Sequence, residues 1–363
     1  MHMPSLFAPK VPDNKANPLF LNFRDSPAFR PARVLMDAIY SQYRDKDGSF
    51  IQEFQTRGFS ARVWELSLFA YLQEAELEID ESFVFPDYVI TAPHPMAIEA
   101  ATSQPAENAP KVQSAAVSSV VPSDLVEGQR ELVFQVAKAL RRKLLHRNAA
   151  GLAYWQHPHT AGRPFVIAVE AFHNSSSLFY SDAVIIQYLY GQRPVGEHDE
   201  LGTLTIKSES IGTHHWKGRE IPSGLFDLPE AADLSAVLFS NGSTVSQFNR
   251  IAVQEGIGLS EKIIVMRLGT CLNRDPNASE PAPFEYIVGE ADAPYESFSQ
   301  VLTVMHNPNA KVPLPDGAFP NVAECRLEDD GRLSVISSGF HPFTSITQIL
   351  TSAKRHEGEV DEQ

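Results

Sequence analysis

Three carboxylates stand among apolar residues. Glu65 lies in Trp64-Glu65-Leu66, Asp87 in Phe85-Pro86-Asp87-Tyr88, and Glu99 at the centre of Ala97-Ile98-Glu99-Ala100-Ala101. An acid in such company is costly unless it is paired, protonated or bound to a cation. Two or three convergent carboxylates provide the oxygen ligands that a hard cation such as Mg²⁺ or Mn²⁺ takes. An ion held there can activate a water and neutralise charge on a phosphoryl oxygen. Plainer readings compete. Glu65 can salt-bridge Arg62, Asp87 can cap a strand end, and all three can be paired core residues.

The elements that must position these acids follow from pattern. Ser60 has the chemistry of an N-cap for a helix from Ala61 to about Glu76. Wound at 100° per residue, Glu65 falls between Leu68 and Leu72 on one side and Phe69 on the other, while Ser67, Gln73 and Glu74 form the wet face. Strands are expected over Phe83–Ile90 and Met96–Thr102, with a proline-containing turn between them. Alternation puts Ala97, Glu99 and Ala101 on one face. If the strands pair as a hairpin, Asp87 and Glu99 converge.

A helix from about Leu125 to Arg147, started by Ser123, carries the apolar stripe Val133, Ala137, Leu140 and Leu144. Lys143 falls on its margin beside Val136, where a long side chain reaches over the sheet. Arg147 lies near the same side, Arg141 borders the other margin, and Lys138 and Arg142 lie outward. This is the one dense basic cluster in the chain. It is either a phosphate-contacting surface or a solvated helix end favoured by the helix dipole.

In order and spacing, these motifs resemble the PD-(D/E)XK nuclease superfamily. The resemblance is to a bacterial branch with a Trp-Glu-Leu helix, a Pro-Asp-aromatic strand and an Ile/Val-Glu-Ala strand. Lys143-Leu144 and Gly162-Arg163-Pro164-Phe165-Val166 continue the pattern, which spans roughly Ser60 to Gly191. The resemblance implies a restriction-endonuclease-like α/β core and Mg²⁺-dependent phosphodiester hydrolysis, with DNA the expected substrate. Asp87 and Glu99 would hold the metal, and Glu65 would bind a second ion or orient water. One position departs from the pattern. Ala101 stands where the family has its lysine, and Lys143 is the expected substitute. Lys138, Arg141, Arg142 and Arg147 would then contact nucleic acid. The alternative is a catalytically degenerate nuclease fold that binds nucleic acid or a protein partner.

The rest of the chain sets bounds. Its 363 residues, 43% hydrophobic and 21% charged, can bury a sizeable core. A net charge of −15 argues against broad affinity for nucleic acid, so any basic surface must be local. The expected organisation is an N-terminal arm and helix over 1–59, a core over 60–192 with a loop insert at 103–123, a β-rich lobe over 193–352, and an acidic tail over 353–363. The overall class is a mixed α/β fold. Cys271 and Cys325 lie far apart, and neither a signal peptide nor a membrane-length apolar run is evident. A soluble cytoplasmic protein is expected. Glu170 with His173 reads as a strand-end polar pair sooner than as a second acid beside the site. His157-Pro158-His159 and His214-His215 lack the partners of a zinc site. Trp216, Phe226, Phe239 and Phe248 read as core aromatics or as a stacking surface.

Overall fold

The computed structural model describes residues 4–103, 120–259, 263–337 and 339–351. Most of the insert expected at 103–123, and all of the tail at 353–363, lie outside these residues. The chain opens with α1 (Pro18–Asp25), α2 (Arg30–Tyr40), α3 (Phe50–Phe54) and α4 (Phe59–Glu74). The strands β1 (Glu78–Ile79), β2 (Tyr88–Ala92) and β3 (Met96–Thr102) come next, then α5 (Leu125–Leu144), β4 (Phe165–Glu170) and α6 (Ala183–Tyr190). Two hairpins follow, β5 (Gln192–His198) with β6 (Leu204–Ser210) and β7 (Thr213–Trp216) with β8 (Arg219–Pro222). The remainder is β9 (Ala236–Ser240), α7 (Val245–Gln254), β10 (Ile263–Cys271), β11 (Ala282–Ile287), β12 (Leu302–His306), β13 (Ala323–Leu327), β14 (Leu333–Ile336) and β15 (Pro342–Thr351).

One mixed sheet of eight strands dominates, in the order β1-β2-β3-β4-β9-β12-β13-β14. Strands β1, β2 and β3 are antiparallel, β4 runs parallel to β3, and β9 runs parallel to β4. The expected division at 192/193 therefore does not separate two sheets, because β9, β12, β13 and β14 extend the sheet begun before it. Ala236-Val237-Leu238-Phe239 is buried throughout, as a strand flanked by neighbours in a doubly covered sheet must be. A smaller sheet, β11-β10-β15, stands apart from it.

Two helical layers cover the sheet, and side-chain alternation decides which residues meet which layer. Ile98, Val166 and Ala168 share a core with Trp64, Leu66 and Leu68 of α4. Ala97, Ala101, Phe165, Ile167 and Val169 share the opposite core with Val133, Val136, Leu140 and Leu144 of α5. Fully burying one such large apolar side chain contributes roughly 1.5–3 kcal/mol. Helix α4 is buried almost all round because α2 and α3 pack on its outer side. Ser67, expected on a wet face, is for that reason buried and donates to Gln247 Oε1 at 3.1 Å.

Several boundaries differ from expectation. Helix α4 starts at Phe59 after Gly58, so Ser60 lies inside it. Asp124 caps α5 by accepting from the Glu127 N–H, in place of Ser123. Strand β2 begins at Tyr88, five residues after its expected start, because Pro86 interrupts the ladder. Helix α6 stops at Gly191, whose φ of 67° suits glycine. Among the described residues no helix is long and apolar enough to cross a membrane.

Candidate functional site

Glu99 sits on β3, on the face covered by α5. Its neighbours on that face, Ala97 and Ala101, are small, so the helix approaches closely. Lys143, in the last turn of α5, extends along this gap and its Nζ pairs with Glu99 Oε1. A lysine at position 101 would be trapped beneath α5, since Ala101 is itself buried. The helix margin supplies an ammonium that remains 19% exposed at its side chain.

Asp87 stands at the entrance to β2. The pairing of Tyr88 with Ile98 places Ala100 opposite Pro86, which forms no ladder there. The Asp87 Oδ2 accepts the Ala100 N–H at 2.7 Å instead, and the Asp87 N–H donates to Glu99 Oε2 at 3.3 Å. Lys46 Nζ donates to the Asp87 backbone carbonyl at 2.7 Å. Asp87 and Glu99 line a pocket of about 280 Å³, walled by Phe85, His146, Tyr154 and His157. Burial, reinforced by the Asp87 charge, pushes the Glu99 carboxyl up to about 7, although Lys143 and Tyr154 pull it down. The Lys143 ammonium lies 5.9 Å from the Tyr154 ring centroid.

Glu65 approaches Asp87 from the other side of the sheet. It is buried on α4, and its carboxylate is taken by the Tyr43 hydroxyl and the Arg62 guanidinium. Arg62 also pairs with Glu53 at 2.8 Å. Burial first, and Asp87 second, raise the Glu65 carboxyl above its ordinary range. Glu65 does not line the pocket at Glu99. The structure thus brings Asp87, Glu99 and Lys143 together and leaves Glu65 in a separate ion pair.

The basic cluster divides. Arg147 donates to the carbonyls of Leu144 and His146 and lies over the Trp155 ring at 5.4 Å. Arg142 is exposed, and Lys138 and Arg141 turn toward the β7–β8 hairpin. Phe226, Phe239 and Phe248 are core residues, whereas Trp216 lines the cleft beside Lys138. Glu170 and His173, expected at a strand end, are both buried: burial pushes Glu170 up to about 8 and His173 down to about 3. Sequence reasoning missed Lys46, Tyr154, His146 and His157. The sequence marks His157 only as a zinc-ligand type without partners, and Lys46 sits in a charged loop with no period to mark it.

Among the described residues no three His, Cys, Asp or Glu side chains gather as one ion-holding group. Two of the residues that line the pocket, Asp87 and Glu99, carry the oxygen donors that a hard divalent cation would need. Lys143 at Glu99 and Lys46 at Asp87 set two cations beside these two acids, and the pocket leaves open space next to them. Comparison with protein-family models, with curated proteins and with solved structures returned no match.

Proposed function

We propose that the chain is a divalent-cation-dependent phosphodiesterase acting on nucleic acid, with Asp87 and Glu99 as the metal-holding acids. The observation that carries this reading is the arrival of Lys143 at Glu99, beside Asp87, when the lysine position in β3 is taken by Ala101. The order of elements adds support. A helix, three antiparallel strands, a second helix and a strand parallel to the third follow one another as in the restriction-endonuclease-like core that the motifs resemble. The preference for DNA over RNA rests on that resemblance.

Mg²⁺ or Mn²⁺, when bound, supplies an activated water and neutralises phosphoryl charge. The protein's own groups do the rest. The Ala100 N–H fixes Asp87 Oδ2 and leaves Oδ1 as the oxygen available to a ligand. Lys143 balances one unit of negative charge at Glu99 and stands where a phosphoryl oxygen can compete for its ammonium. Glu65, held by Arg62 and Tyr43, anchors the α4 side and does not take part in the chemistry.

The test is cleavage of single- and double-stranded DNA and RNA by the purified chain with Mg²⁺ or Mn²⁺, beside Asp87→Ala and Lys143→Met. Cleavage by the wild type, reduced about 10²-fold or more in each variant, is the expected result. Equal activity in all three, or none in any, would sink the proposal.

A second reading has an observation of its own: Lys143 already occupies Glu99 Oε1. A closed pair of this kind also suits a nuclease-derived fold that only binds. Melting with and without Mn²⁺ separates the two, because a cation held only by the folded state raises its stability. The binding-only reading requires no such rise.

A further inference from the structure

The chain carries a net charge of −15, yet one cleft gathers cations. It lies between α5 and the β7–β8 hairpin, has a volume of about 700 Å³, and is lined by Lys138 and Arg141 from the helix and Lys217 and Arg219 from the hairpin. All four are exposed. The acid that lines the same cleft, Glu220, faces His215 at 3.2 Å, and the Glu230 partner of Arg141 is 3.5 Å away on the surface. Lys217 also interacts with Glu131, so this positive charge is partly offset, and the four exposed cations remain the groups that an entering anion meets.

The ring faces in the cleft are already covered. Trp216 is 6% exposed, with Lys217 Nζ 4.6 Å from its centroid and Phe134 packed at 5.7 Å, and Tyr188 is buried. Little aromatic surface is left for a base to stack on, so the chemistry on offer is contact with phosphates. Winding α5 at 100° per residue then places Arg141, Lys138, Arg142 and the half-buried Lys143 in succession round the helix, and His146 follows just past its end at Leu144. His146 lines the pocket that holds Glu99, so this arc joins the cleft to the acids. The path turns about a helix only ~10–12 Å across. Duplex DNA, with a persistence length of about 50 nm, does not follow such a bend, whereas a single strand does.

We propose that the cleft between α5 and the β7–β8 hairpin binds the phosphate backbone of single-stranded nucleic acid and leads it round α5 to the pocket at Glu99. The inference rests on the proposed function only for that destination. Binding at the cleft stands by itself.

The test uses the full chain in EDTA, so that no cleavage intervenes, with a fluorescein-labelled oligothymidylate followed by anisotropy over a salt series. Two variant pairs are compared, Lys138→Glu with Arg141→Glu and Lys217→Glu with Arg219→Glu, each checked for an unchanged melting temperature. We expect each pair to weaken binding about tenfold or more and to flatten the slope of log affinity against log salt by about 0.7 per lost contact. Duplex DNA at equal phosphate concentration should compete poorly. Unchanged affinity in both folded pairs overturns the proposal, as does equal competition by duplex DNA or by polyglutamate. Loss of binding in the pairs without any cleavage by the wild type would uphold the cleft while removing the nuclease reading.

Discussion

Two carboxylate–cation groups in this molecule use the same chemistry to opposite ends. In one, Glu296 is fully buried between Arg250 at 2.9 Å and Arg267 at 3.0 Å, with the Tyr286 hydroxyl donating at 2.7 Å. Gln300 Oε1 takes a further N–H of Arg267 at 2.9 Å. Cations outnumber the acid, and their charge holds Glu296 below its ordinary range against the cost of burial. In the other, Asp87 and Glu99 meet Lys143 and Lys46 in equal number, a pocket opens beside the two acids, and Glu99 is pushed up to about 7. Burial is similar at Glu296 and Glu99. What separates the structural ion cluster from the candidate site is the closed excess of arginine in the first and the access to open space in the second.

The sharpest way to break this contrast is to truncate each acid in turn. Glu296→Ala leaves two buried guanidinium groups without their partner and is expected to cost about 3–5 kcal/mol in chemical denaturation. Glu99→Ala removes repulsion with Asp87 and leaves Lys143 able to reach water, so its cost should stay near 1 kcal/mol. Equal losses would erase the distinction.

Glu170 gives an effect almost as large, and one that depends on pH. Folded Glu170 keeps its proton up to about 8, whereas the unfolded chain releases it near the ordinary value of 4.5. Folding therefore takes up a proton between those values. The stabilising contribution is whole below 4.5 and is lost as the pH rises through 8. Glu170→Gln removes that dependence. Unfolding free energy should shift in the variant's favour by several kcal/mol between about pH 5 and about pH 8.5, at about 1.4 kcal/mol per unit of pKa difference. His173 works in the opposite sense, its contribution being lost as the pH falls from 6.5 toward 3, so a His173→Gln control separates the two.

Smaller is the expected metal effect: millimolar Mn²⁺ should raise the melting temperature of the wild type by a few degrees and leave Asp87→Ala unmoved, equivalent to about 1–3 kcal/mol of linked binding. Smallest is the surface pair Arg141–Glu230. Its members are 46% and 34% exposed, and Glu230→Ala should change stability by less than about 1 kcal/mol.

Much of the candidate site was legible in the sequence because it depends on local periodicity. Strand alternation set Glu99 among small residues, and helical winding carried Lys143 to the margin of its stripe. The structure pairs the two. Glu65 was legible as an acid in an apolar helix, and its Arg62 partner three residues earlier was the plainer of its two readings. What escaped depended on distant segments. Nothing in Ala236–Ser240 alone says that it lies beside β4, and nothing near Trp216 says that it faces Lys138. Arg267 did carry a signal, falling on the same strand face as Val265, but Glu296 sits in an irregular stretch without a period.

The shared sheet also bears on how the chain is made. Strand β4, Phe-Val-Ile-Ala-Val-Glu, is buried along its whole length and takes β3 on one side and β9 on the other. Its second neighbour does not exist until the ribosome has passed residue 236, and β9 in turn awaits β12 at 302. Until then an apolar edge with unpaired amides is open to any other strand. A fragment ending near 192 would keep that edge for good, so the boundary that looks natural in the sequence is the place where cutting the gene would yield aggregates.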